Sequence, residues 1–244
     1  MPLKLSPGIN TALKLGRVSN LPTVWMNVIA SLALTSAALG LGFPLATSLL
    51  IIIALSCFYA GGMCFNDYCD RHWDAERQPF RPIPAGAINA RAVLTLSLAL
   101  FASGLVVLWL APNSRGVLGA TGLLALIIAY DLWHKRHWAT VLLMASTRLG
   151  VYIVAALALT GSASQTVILL GLIQCGYTLL VTVVARLESR YPKGYGFAVI
   201  PWMIAGMGLI DGVALAVLLS PMWLLAGIAT VVLTRWGQRY VRGD

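Results

Sequence analysis

This chain has little charge. Only 10% of its 244 residues are Asp, Glu, Lys or Arg, and none of these falls between Arg17 and Asp67. With 59% hydrophobic residues and a mean hydropathy of +0.84, the composition excludes an ordinary soluble domain. It indicates a polytopic membrane protein, long enough for one compact domain over residues 1–244. Cysteine is also scarce. Cys57, Cys64, Cys69 and Cys175 form no Cys-x-x-Cys pair and read as small apolar fillers rather than metal ligands. The three histidines, His72, His134 and His137, lie in basic stretches and lack zinc-like spacing. No Ser-His-Asp or Cys-His nucleophile is visible. The Asp-Gly-x-x-Ala-Arg pattern of lipid phosphotransferases of the CDP-alcohol type is missing. The N-terminus is polar and basic, and the first apolar run has spanning length without a clear cleavage site, so we read no secretory signal.

The apolar runs predict about eight transmembrane helices in an all-α membrane protein. Their approximate bounds are 21–42, 44–65, 90–111, 116–130, 138–160, 165–185, 197–220 and 222–236. Polar stretches over 66–88, 131–137 and 186–196 separate them on one side. If these stretches, both termini and the span ends at Arg91 and Arg235 face the cytoplasm, 15 of the 17 Lys and Arg residues lie inside. The remaining two are Arg115 on the opposite side and Arg148 within the fifth span. That asymmetry predicts cytoplasmic termini in a multi-pass protein of a bacterial inner membrane. The net charge of +9 then reflects positive-inside loops and contact with anionic lipid in the bilayer, not nucleic acid.

The most informative stretch runs from Asn66 to Gly86. Asp67, Asp70 and Asp74 arrive directly after the second apolar run at spacing i, i+3, i+7, so on a helix they share one face. Three carboxylates on one face repel each other unless a cation sits among them. Hard oxygen ligands suit Mg²⁺, an ion usually shared with a substrate phosphate. Arg77, Arg81 and Pro82-Ile83-Pro84 then end the helix and add positive charge.

Asn66-Asp67-x-x-Asp70-x-x-x-Asp74, followed by Arg81-Pro82-Ile83-Pro84-x-Gly86, resembles the first aspartate-rich motif of the UbiA superfamily of intramembrane prenyltransferases. The resemblance implies two four-helix halves, about 1–135 and 136–244, around a central cavity open toward the membrane. It also implies that Asp67, Asp70 and Asp74 bind Mg²⁺ and the diphosphate of an isoprenoid donor, with Asn66 and Arg81 at the substrate. The segment Arg17-x-x-Asn20-Leu21-Pro22 resembles the first-helix entry, where an asparagine faces the cavity; Asn27 is the better match of Asn20 and Asn27. Tyr130-Asp131-Leu132-Trp133-His134-Lys135 is similar to the family's Tyr-x-x-x-Lys element, with one extra residue before Lys135. Arg186 and Glu188 stand where the family carries its second aspartate-rich motif, of which only Glu188 remains as a carboxylate. That thinning and the Tyr-Asp-x-x-His-Lys form resemble the EboC-like branch.

Arg148 stands out independently. About ten residues into a span and without an adjacent acid, it would cost at least ~2.5 kcal/mol if it faced lipid. It therefore points into a polar cavity or pairs with another group, Asp211 or Glu188 among the candidates. A guanidinium suits a phosphate, which it binds bidentately. Lys135 would add a mobile point charge.

These readings imply a Mg²⁺-dependent transferase. It would move a prenyl group from a prenyl diphosphate to an aromatic or other small lipophilic acceptor. Asp67, Asp70, Lys135 and Arg148 would be catalytic. The alternative is a non-catalytic protein of the same architecture, carrying or transporting a lipid or secondary metabolite. The reduced second acidic motif is its main support.

Overall fold

The structure is a computed structural model, described here for residues 7–188 and 198–241. Parts of the expected polar break at 186–196, including Arg190 and Lys193, and the terminal Lys4 and Arg242 lie outside these residues. All regular structure among the described residues is helical. A short helix, α1 (Pro7–Leu15), leads through a 3-10 turn to α2 (Leu21–Ala38) and then α3 (Leu45–Arg77). After them come α4 (Ala90–Trp109), α5 (Arg115–Trp133), α6 (Val141–Thr160) and α7 (Gln165–Glu188). The last two helices are α8 (Val199–Leu218) and α9 (Trp223–Gln238).

Local chemistry sets these ends. Pro22 occupies the first turn of α2, where its missing N–H costs nothing. The Asn89 side chain caps α4 by accepting from the Arg91 backbone N–H at 2.8 Å. Gly161 closes α6 with φ 80°, a left-handed conformation that glycine adopts without penalty.

Seven of the helical segments are long and apolar enough to cross a bilayer. The eighth, α9, has 16 residues because Pro221 delays its start. It nevertheless returns the chain to the end where it began. Gln238 near its C-terminus donates to Asn20 at 3.0 Å, and Lys14, Arg17 and Tyr240 line one cleft with Asp67 and Arg81. Both ends of the described chain thus lie beside the acidic motif, as an even number of crossings requires. At the other end of the bundle, Arg115 Nη1 donates to the Gly161 carbonyl at 3.0 Å.

One expectation changes. The second helix does not end near Phe65: α3 continues without a break from Leu45 to Arg77 and carries the acidic motif and much of the polar stretch. At 1.5 Å per residue its 33 residues extend about 50 Å, well beyond the roughly 30 Å hydrocarbon core. The last three turns form a stalk that continues the helix and carries the motif at helical register.

The two sequence halves interpenetrate. Helix α2 packs against α3, α6, α8 and α9, and it is the most enclosed element, with 67% of its most apolar window buried. A core of Val28, Leu32, Ile51, Phe58, Phe101 and Val154 joins α2 to α3, α4 and α6. Close approach needs small residues. A Cβ on Gly104 would stand 2.6 Å from the Phe58 ring, so glycine there lets α4 lie against α3.

Candidate active site

The stalk of α3 presents Asn66, Asp67, Asp70 and Asp74 inward, at exposures of 9%, 7%, 5% and 1%. Buried carboxylates require compensation, and the structure supplies basic side chains. Arg81, brought back by the turn that its backbone N–H closes on the Gln78 carbonyl at 3.0 Å, bonds Asp74 Oδ2 at 2.9 Å and Asp67 Oδ1 at 3.3 Å. Arg17 reaches Asp67 Oδ1 at 3.7 Å from the other side. Arg17 is also the only non-glycine residue with positive φ among the described residues, at 42°. Lys135 and His134, from the end of α5, converge on Asp70 Oδ2 at 3.1 and 3.2 Å. The His134 ring stacks on Tyr130 with centroids 4.9 Å apart.

The sequence expectation placed a cation among three carboxylates. The structure places Arg81 between two of them and Lys135 on the third. No group of three or more His, Cys, Asp or Glu converges on a metal position among the described residues. Asp67 and Asp74 rise about 10 Å apart along the axis, and the single Arg81 Nη1 occupies the space where their carboxylates approach. A three-carboxylate cage is therefore not what this face offers. What it offers is hard oxygen donors. Asp74 Oδ1 and Asp131 Oδ2 are buried without a hydrogen-bond partner. One or two carboxylates completed by substrate oxygens and water is the ordinary Mg²⁺ arrangement, so the donor set fits that ion.

Asp131 is a site residue that sequence reasoning passed over. It is 5% exposed, accepts from Asn66 Nδ2 at 3.0 Å and lines a cavity within the bundle. A carboxylate directly after an apolar run of α5 is the signal that could have marked it. The cavity lies inward of the stalk, between α2, α3, α5 and α6. Its wall is apolar and aromatic, with Leu55, Phe58, Tyr59, Ile127 and Val151, while Tyr130, Asp131 and Arg148 supply polarity.

Arg148 is 9% exposed and sits in this wall. Its recorded partner is Asn27: Nη1 donates to Asn27 Oδ1 at 2.9 Å. The sequence-predicted pair Asn27 and Arg148 are therefore in direct contact, and no direct salt bridge joins Arg148 to Asp211. Arg186 Nη1 donates to the Trp138 carbonyl at 3.2 Å. Glu188 ends α7, and residues 189–197 that follow it lie outside the described residues.

A helical membrane bundle with an acidic, cation-bridged mouth over an apolar cavity defines a class of intramembrane protein that handles an anionic head on a lipophilic tail. A model of the UbiA prenyltransferase family matches residues 24–242, and the chain belongs to that family of intramembrane enzymes that transfer isoprenoid groups. It is similar to digeranylgeranylglyceryl phosphate synthase of Natronomonas pharaonis, 29% identical over 194 residues that cover 78% of this chain and 69% of the relative. It is also similar to protoheme IX farnesyltransferase of Alkalihalophilus pseudofirmus, 31% identical over 120 residues that cover 48% and 38% of the two chains. A solved structure from work on digeranylgeranylglyceryl phosphate synthase in membranes matches with a TM-score of 0.64. At 17% identity over 96% of this chain and 95% of that one, this likeness shows the fold alone.

Proposed function

We propose that this chain is a Mg²⁺-dependent prenyltransferase that moves an isoprenoid group from a prenyl diphosphate to a lipophilic acceptor. The observation that carries the reading is the arrangement of the two chambers. The buried Asp67, Asp70 and Asp74 face, with Arg81 and Lys135 on it, lies directly outside an apolar cavity whose wall holds Arg148. An amphiphilic diphosphate fits across that boundary, head outward and tail inward.

In this reading Asp67, Asp70 and Asp74 would supply one or two carboxylates to each Mg²⁺, with diphosphate oxygens and water completing the shell, and Glu188 would join once a diphosphate bridges the two sides. Bound Mg²⁺ supplies Lewis-acid neutralisation of the leaving diphosphate. The residues of the chain do the rest. Lys135 and Arg81 already lie on the carboxylates and move their donors to diphosphate oxygens. Arg148 offers its remaining N–H groups from the cavity wall, where low polarity strengthens each charge-assisted bond. As the allylic C–O bond breaks, these donors meet the charge that develops on the leaving oxygen. Phe58, Tyr59 and Ile127 keep water from the allylic cation until the acceptor's nucleophilic atom takes it. Glu188 as the sole carboxylate of the second motif keeps the EboC-like branch as our reading of the subgroup.

Incubating the purified protein with Mg²⁺, a panel of prenyl diphosphates and a membrane lipid extract tests this. A new prenylated lipid, found by mass spectrometry, is the expected result. No such product with any donor or extract would count against it.

Arg148→Lys keeps the charge but loses the bidentate fork. We expect donor affinity to fall by about tenfold or more, with little change in thermal midpoint. A lower midpoint with unchanged affinity would instead make Arg148 a purely structural partner.

We further propose that the stalk, Asn20 and the end of α9 face the cytoplasm, because most Lys and Arg residues then lie inside. Single cysteines at Ala87 and Arg115, in a protein whose native cysteines are replaced, should label from the cytoplasmic and opposite sides respectively. Labelling of both from one side would overturn the topology.

A further inference from the structure

Behind Arg148 lies a buried polar network that the proposed reaction does not use. Asn27 on α2 and Tyr152 on α6 both meet Asp211 on α8, and all three are 0% exposed. Asn27 Nδ2 donates to Asp211 Oδ2 at 2.7 Å and to the Tyr152 hydroxyl at 3.1 Å. Tyr152 in turn donates to Asp211 Oδ1. Gln174 on α7, also fully buried, donates to the same oxygen at 3.0 Å and to the Met207 carbonyl at 2.7 Å. Four helices from both sequence halves thus contribute to one cluster.

Its logic follows from donor and acceptor chemistry. A guanidinium only donates, so the amide atom facing Arg148 must be Oδ1. That fixes Nδ2 on the other side, where both of its hydrogens meet acceptors. A flipped amide would set donor against donor at Arg148 and acceptor against carboxylate at Asp211. The single carboxylate therefore determines which way Asn27 points, and Asn27 determines where the guanidinium sits. A mere salt bridge would have placed Asp211 on Arg148 itself. Here the charge is held one residue back, so the guanidinium keeps donors free for the cavity it lines.

We infer that Asp211, with Tyr152 and Gln174, is a positioning unit: through Asn27 it holds Arg148 in the geometry that receives an anionic phosphate group. This rests on the proposed function, since it assumes that the cavity takes a diphosphate.

Inorganic diphosphate with Mg²⁺, titrated calorimetrically into the full chain in detergent, is the probe. Asp211→Asn should weaken its binding about tenfold, a typical coupling for contacting polar groups. In an Arg148→Lys background the same substitution should change affinity little, because the group being positioned is gone. Tyr152→Phe leaves the Asp211–Asn27 bond and should show a smaller loss with the same dependence on Arg148; it carries the test if Asp211→Asn does not fold. A thermal midpoint lowered equally in both backgrounds, with unchanged diphosphate affinity, would overturn the inference and leave the proposed function standing. Wild-type protein that binds no diphosphate would overturn the proposed function, and this inference with it.

Discussion

Asp70→Asn is expected to remove the Mg²⁺-dependent part of prenyl diphosphate binding. Asp70 is 5% exposed and carries Lys135 and His134 on one oxygen. Neutralising it takes a hard anionic ligand from the metal and leaves a cation without its counter-charge. Both changes favour a bare anion. Affinity measured without Mg²⁺ should therefore hold or rise, while the gain on adding Mg²⁺ should vanish. A loss of about two orders of magnitude in the presence of Mg²⁺ is expected, which corresponds to about 2.7 kcal/mol. Asp67→Asn should behave likewise. Glu188→Gln should leave substantial binding and slow turnover, because leaving-group charge peaks in the transition state. Equal and small effects from all three would contradict the metal assignment.

Gly212→Ala is expected to cause a large loss of stability. The added Cβ would stand 2.6 Å from Gly227 Cα and 3.0 Å from its nitrogen, where α8 and α9 touch backbone to backbone. Backbone cannot rotate away as a side chain can, so the helices must separate. Overpacking of this kind costs about 1–3 kcal/mol. The loosening would reach Asp211 on the same helix, next in sequence. Gly122→Ala on α5, where a Cβ meets nothing within 4 Å, is the control. Thermal unfolding in detergent should show a clear drop for the first and none for the second.

Much of this was legible in the sequence. Apolar runs mark the helices because a spanning segment must satisfy its own backbone. The register of Asp67, Asp70 and Asp74 marks one face, and Arg148 stands out because a lone arginine in a span must find a polar surface. Two things were not legible. The span bounds stopped at Phe65, because hydropathy falls where charges begin, yet α3 continues 12 residues further; helical hydrogen bonding does not depend on hydropathy. The partners of buried groups were also hidden. Asn66 with Asp131, and Asn27 with Asp211, are separated by 65 and 184 residues, and only tertiary packing brings them together. The ion pairing of Arg81 back onto Asp67 and Asp74 depends on the turn from Gln78 to Arg81, whose path the residue types alone do not specify.

Release of inorganic diphosphate from a prenyl diphosphate by the purified protein tests the central claim most directly. Release that requires Mg²⁺, falls on Asp70→Asn and rises with a lipid extract containing the acceptor is the predicted result. Tight Mg²⁺-dependent binding of the donor with no diphosphate released, with or without extract, would contradict it and make the protein a carrier of prenyl diphosphates.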